Sequence, residues 1–154
     1  EFEKEKIVWN RITDKIIFSY VASNYFILDS TFMITGKNLK YLIALLNSNI
    51  MAYWIKLTAA TLGEGSYGAK IYIENSPIIS ITSKTQDIAK ELENYVDKMI
   101  SLNKHLNEIG DKKTDERARI EEEIKKTDNE IDELVYKIYG ITEKEKKIIE
   151  ESLK

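Results

Sequence analysis

Six residues invite chemistry first. Gly63-Glu64-Gly65-Ser66-Tyr67-Gly68 matches the G-x-G-x-x-G spacing that lets backbone amides approach a phosphate closely, and Lys70 follows. A dinucleotide site needs a strand before that motif and a helix after it. Here Met51 to Leu62 reads as helix and Ile71-Tyr72-Ile73 as strand, the reverse order. A kinase loop would need a strand lysine and two downstream aspartate motifs. A Walker loop would need a lysine directly after the last glycine. Neither set is present, so the loop is either a connector between helix and strand or, held by that scaffold, a recognition loop in which Gly63, Gly65 and Gly68 allow close approach. Ser66 and Tyr67 sit at its tip and Lys70 within reach of a phosphate.

Other chemistries fail on residue count or setting. There is no cysteine, so thiol nucleophiles, disulfides and cysteine zinc sites are excluded together. The single histidine, His105, lies on a charged helix off its apolar seam, where a surface position is expected. Glu121, Glu122 and Glu123 read as a solvated helix face with nothing to enclose them and move a pKa. Trp9 and Trp54 are expected in the core.

What remains is the chemistry of recognition. The net charge of −3 hides an asymmetry. Residues 1–85 carry nine Lys/Arg against seven Asp/Glu, a balance of +2, whereas the rest carries fourteen against nineteen, a balance of −5. A polyanion partner therefore belongs to the first part. Arg11, Lys15, Lys37 and Asn38 join Ser66, Tyr67 and Lys70 there as candidate contacts to bases and phosphates.

The elements that must position these residues can be read along the chain. With 43% hydrophobic and 32% charged residues in 154, a packed core is expected. Ile7-Val8-Trp9, Ile16 to Val21, Tyr25 to Leu28 and Thr31 to Thr35 read as strands, being β-branched and aromatic. Asn38 is placed to cap a helix with its stripe at Leu39, Leu42, Ile43, Leu45 and Leu46. Asn47-Ser48-Asn49 separates it from a second helix through Tyr53, Trp54 and Leu57. Ile71-Tyr72-Ile73 and Ile78 to Ile81 are further strand candidates.

From Ser83 the pattern becomes helical. Ser83 and Gln86 have capping-box spacing, and Ile88, Leu92, Tyr95, Met99, Leu102, Leu106 and Ile109 form a heptad, coiled-coil-like seam. Gly110 to Lys113 is a polar turn, and Thr114 is placed to cap a second helix with its seam at Ile120, Ile124, Thr127, Ile131, Leu134 and Ile138. Two seams and a short turn predict an antiparallel hairpin whose arms are each about 35 Å long. Gly140 stops it, and Thr142 with Glu145 opens a last short helix.

The fold class is therefore α+β: a small mixed sheet with packed helices over 1–82, an antiparallel helical hairpin over 83–139, and a short terminal helix over 140–154. No apolar run approaches the roughly 20 residues of a membrane span, and the charged start carries no signal peptide, so a cytoplasmic protein without membrane contact is expected. Residue 1 is Glu rather than Met, so the chain is expected to be part of a longer one.

The order of several segments resembles a known family. Lys6-Ile7-Val8-Trp9 with Ile16-Ile17-Phe18-Ser19-Tyr20, then Phe26 to Ile34, resembles the TaqI-like C-terminal specificity domain of restriction-modification enzymes. Leu39-Lys40-Tyr41-Leu42-Ile43-Ala44-Leu45-Leu46-Asn47-Ser48 is its most recognisable helix. Ile73 to Ile78 resembles the end of its recognition unit, and Ile88 to Met99 the spacer helix that follows. Ile131 to Glu143 resembles the closing segment of adenine-specific methyltransferases of combined restriction-modification enzymes. The resemblance implies a module that reads double-stranded DNA for a methyltransferase, with or without a nuclease, elsewhere in the parent chain. The parent's cofactor would be S-adenosylmethionine. No cofactor is expected here, since there is no Asn-Pro-Pro-Tyr run and Pro77 is the one proline. The hairpin, too acidic to follow a phosphate backbone, would be a strut that docks on the catalytic part of the parent or on another recognition unit. The alternative class is a protein-interaction module that uses the hairpin as its surface, with the α+β part as scaffold.

Overall fold

The computed structural model describes residues 3–11, 15–27, 30–59 and 70–154. Three strands, β1 (Lys6–Asn10), β2 (Ser19–Val21) and β3 (Thr31–Ile34), form one sheet in the order β2-β1-β3. Both outer strands run antiparallel to β1, so the sheet is antiparallel throughout. The chain turns directly from β1 into β2. Reaching β3 requires a return along the sheet. There the buried Lys6 ammonium donates to the Tyr25 carbonyl at 3.0 Å.

The register arranges one face in layers. Ile7 lies between Tyr20 and Ile34, and Trp9 lies opposite Phe32. Trp9 also touches Phe18, with ring centroids 5.4 Å apart. This face is covered by α1 (Leu39–Leu46), a helix buried on most sides because it also meets the long helix α4 (Gln86–Ile109). Helix α2 (Asn49–Ala59) follows α1 after a two-residue break. Helix α5 (Asp115–Tyr139) packs along α4 as an antiparallel hairpin, and α6 (Glu143–Ser152) closes the chain against α2. One apolar core runs through these elements from Ile7 to Ile149.

Several local expectations hold for the reasons given. Thr114 accepts from the Arg117 amide at 3.1 Å, Thr142 and Glu145 form a reciprocal capping box, and Gly140 ends α5 with φ 67°. Others are corrected. The expected strand over Ile16 to Val21 is confined to Ser19–Val21, and Tyr25 to Ile27 form no strand. Leu28 lies outside the described residues. Ile71-Tyr72-Ile73 belongs to a short helix, α3 (Lys70–Glu74), that buries Ile73 near α2. β-propensity needs a neighbouring ladder to act on, and α3 lies against a helix instead. Ile78 to Ile81 forms no strand. The Tyr41 hydroxyl of α1 donates to the Ile79 carbonyl at 2.8 Å, and the Tyr139 hydroxyl of α5 donates to the Pro77 carbonyl at 2.7 Å. These side chains take the place of a partner strand.

The Ser83–Gln86 capping box does not form. Thr85 is the residue before α4, and its hydroxyl accepts from the Thr82 amide at 2.8 Å. Within the hairpin the deepest residues of α4 are Ala89, Leu92 and Val96. Tyr95, Met99, Leu102 and Leu106 of the expected seam are half-buried. The burial shifts because the first half of α4 serves two neighbours, α1 and α5, whereas a heptad seam serves one.

Candidate nucleic-acid interface

The strand register decides which candidate residues lie together. Arg11 leaves the end of β1 and extends the ladder by one step, its amide donating to the Ser30 carbonyl at 3.0 Å. Since Trp9 faces Phe32, Arg11 stands diagonally across from that ring, and its guanidinium carbon lies 5.0 Å from the ring centroid. Arg11 and Ser30 are both exposed. The chain leading into β2 arrives at this same end of the sheet, so Lys15 belongs to it too. Lys15 is exposed, and its charge acts on Asp128 of α5. Burial raises the Asp128 carboxyl above its ordinary pKa, and Lys15 pulls it back down.

Lys37 and Asn38 follow β3 and therefore lie at the opposite end of the sheet, beyond the roughly 13 Å that the ~3.3 Å rise of a strand puts between Ser30 and Ile34. Both are exposed. Asn38 stands at the start of α1 as expected, but in left-handed backbone at φ 56°, and its side chain makes no capping bond. Its carbonyl accepts from the Leu42 amide at 3.0 Å. Lys70 opens α3 and pairs with Glu74 one turn on at 3.2 Å, with both side chains largely exposed. Gly63, Gly65, Ser66, Tyr67 and Gly68 lie outside the described residues. The structure thus places Arg11 over β3 and Lys15 within reach of α5, and separates Arg11 from Lys37 and Asn38 by the length of β3.

Other basic side chains near the sheet are engaged internally. Besides Lys6, Lys40 pairs with Asp97 of α4 at 2.6 Å, and Lys56 donates to the Ser152 carbonyl. His105 is exposed and lies 3.2 Å from Glu116, and Glu123 pairs with Lys98, so the hairpin's polar groups stitch its two arms together. A cavity of about 970 Å³ lies between β2 and α4. Its charged lining is Lys104, Glu108, Asp128 and Asp132, the wrong sign for a phosphate backbone.

Two residues that the sequence reading passed over build the scaffold. Asn47, one residue past α1, accepts from the Phe18 amide at 3.0 Å and donates to the Phe18 carbonyl at 2.9 Å. This side-chain amide imitates a neighbouring strand and ties the approach to β2 onto α1. Asp132 of α5 is buried and accepts from the Asn49 amide at the start of α2 at 2.8 Å. Burial pushes its carboxyl up to about 7. The Asn49 bond opposes this shift, while the charges of Asp128, Glu150 and Glu133 add to it. The Asn-Ser-Asn run could have flagged Asn47 as a capping residue, but nothing local marks its reach of 29 positions back.

Comparison with curated proteins finds no match, and neither does comparison with solved structures. A family model does match. It is the TaqI-like C-terminal specificity domain, over residues 1–78, which are the three strands, α1, α2, α3 and the connections between them. Because that match takes in half of the chain, the chain belongs to the TaqI-like C-terminal specificity domain family.

Proposed function

We propose that this chain is the sequence-reading module of a restriction-modification enzyme. Residues 1–82 contact double-stranded DNA, and the hairpin over 83–139 is a strut toward the catalytic part of the parent chain. The carrying observation is the family match over residues 1–78, since specificity domains of this kind select the DNA target. The geometry supports it through Arg11, Ser30 and Lys15 at one sheet end, held by a packed aromatic layer and by the Asn47 clamp. Loops on a rigid scaffold are where recognition residues are placed. The glycine loop of Gly63, Gly65 and Gly68, with Ser66, Tyr67 and Lys70, belongs to the same proposed surface.

In this reading the methyl transfer, the S-adenosylmethionine and any nuclease reside elsewhere in a cytoplasmic parent enzyme specific for adenine. A base-flipping methyltransferase has to open one base at one site, and a separate reader supplies that choice. The hairpin serves as a strut because the first half of α4 is built into the core of the recognition unit, at Ala89, Leu92 and Val96.

The test is the salt dependence of duplex binding by the chain, followed by fluorescence anisotropy. Binding is expected to be weak and to fall steeply between low and physiological salt, as phosphate contacts require. An affinity that stays constant over that range, or no binding at low salt, would overturn the reading. The interaction-module alternative would then stand.

A further inference from the structure

Arg11 is the one arginine among residues 1–85. Lysine offers a point charge, whereas arginine offers a planar fork of donors that matches two acceptors at once. In the major groove, guanine presents such a pair in its O6 and N7 atoms.

The setting of Arg11 restricts where that fork lies. Its backbone is tied to Ser30, and its guanidinium is stacked on Phe32. Phe32 in turn lies against Trp9, with centroids 5.5 Å apart, and Trp9 is buried against Phe18. The ring beneath the guanidinium is therefore backed by the core. Packing on a fixed ring removes part of the rotamer entropy that a long side chain would lose on binding. The sheet row runs from aliphatic (Ile7) through aromatic (Trp9) to cationic (Arg11), so the charge emerges at the open end of a rigid strand pair.

We propose that Phe32 is a positioning residue that holds Arg11 as a guanine-reading fork for the O6/N7 edge in the major groove. This rests on the DNA-reading role of residues 1–82. A competing role for Arg11 is only to cover the Trp9–Phe32 edge with its aliphatic stem. That role predicts a change in stability and none in site preference.

The experiment is selection of duplexes from a random pool by the chain at low salt, with sequencing of the bound fraction. Wild type is compared with Arg11→Lys, Phe32→Leu and Phe32→Tyr, each checked for folding by circular dichroism. Wild type is expected to enrich sites containing a preferred guanine. Arg11→Lys keeps the charge and the salt slope but lowers that preference roughly tenfold or more, the scale of one bidentate contact. Phe32→Leu lowers it several-fold, and Phe32→Tyr, which keeps a ring, restores it. If Arg11→Lys and Phe32→Leu both fold and keep the wild-type preference, or if the enriched sites contain no preferred guanine, the assignment of Arg11 is overturned while the recognition role stands. Failure of wild type to retain any duplex overturns both.

Discussion

The recognition unit and the hairpin are stabilised by different means. The hairpin is built from local rules: Thr114 caps α5, Gly140 ends it, Thr142 and Glu145 box the start of α6, and cross-arm pairs such as Lys98–Glu123 line its outside. The recognition unit has short strands of five, three and four residues and relies on contacts distant in sequence. Asn47 clamps Phe18, Lys6 reaches Tyr25, and Tyr41 reaches Ile79. Local rules fix where each helix of the hairpin starts and stops. Distant clamps permit irregular backbone, which recognition loops need, at the cost of dependence on every partner being in place.

The sharpest way to break this contrast is Leu92→Ala. Leu92 is fully buried on α4, where that helix meets the core of the recognition unit. Truncation is expected to cost about 3 kcal/mol, from lost transfer energy plus a cavity. Thermal denaturation followed by both tryptophan fluorescence and helical circular dichroism should show one transition moving down as a whole. If the helical signal stays put while the fluorescence transition shifts, the two regions unfold independently.

Asp132→Asn sharpens the contrast by pH. The Asp132 carboxyl is pushed up to about 7 in the folded chain, above its ordinary value of 3.8. The folded state therefore holds this proton more tightly than the unfolded state does. The stability from this group is fully present below the unfolded value and is lost as pH rises from about 4 through 7. The asparagine variant should melt several degrees above wild type at pH 8, and the gap should close as the pH approaches 5. Parallel melting profiles for the two proteins between pH 5 and pH 8 would mean that the contact at Asn49 does not link α5 to α2 through a charged group.

The smallest effect is expected from a local cap. Thr142→Ala removes the capping box of α6 and should cost about 1 kcal/mol. Urea denaturation should show the midpoint shifting with an unchanged slope. A loss as large as that for Leu92→Ala would show that α6 is part of the load shared through α2 rather than a locally ruled element.

The same contrast explains what was legible in the sequence. Periodicity and caps are local, so the hairpin, its turn, its end at Gly140 and α6 could be read directly, as could β1, β3 and the α1–α2 pair. The cap of α4 was misplaced locally, at Ser83 instead of Thr85, but two of the strand misreadings depend on partners elsewhere in the chain. Ile71-Tyr72-Ile73 carries strand-forming residues but lies beside α2, where a helical turn buries Ile73. Ile78 to Ile81 has strand-forming composition but forms no strand; tyrosines from α1 and α5 bond the carbonyls of Ile79 and Pro77 instead. Among the candidate site residues, the register separates Lys37 and Asn38 from Arg11, and Lys15 shares its surroundings with Asp128. The stack of Arg11 on Phe32 left no mark in the sequence, because it needs the pairing of two strands separated by twenty residues between Asn10 and Thr31.

The junction between the two regions has a mechanical meaning. Residues 77–79 are fastened at one carbonyl by Tyr139 and at another by Tyr41, one tyrosine from each side of the boundary. Such a seam has little slack in which to swivel. The 24 residues of α4 then measure about 36 Å of stiff lever at ~1.5 Å per residue. Whatever grips the far tip of that lever fixes the angle and the distance at which the sheet end meets its target. Lengthening α4 by whole helical turns would move its far tip outward by about 5.4 Å per turn without rotating it far.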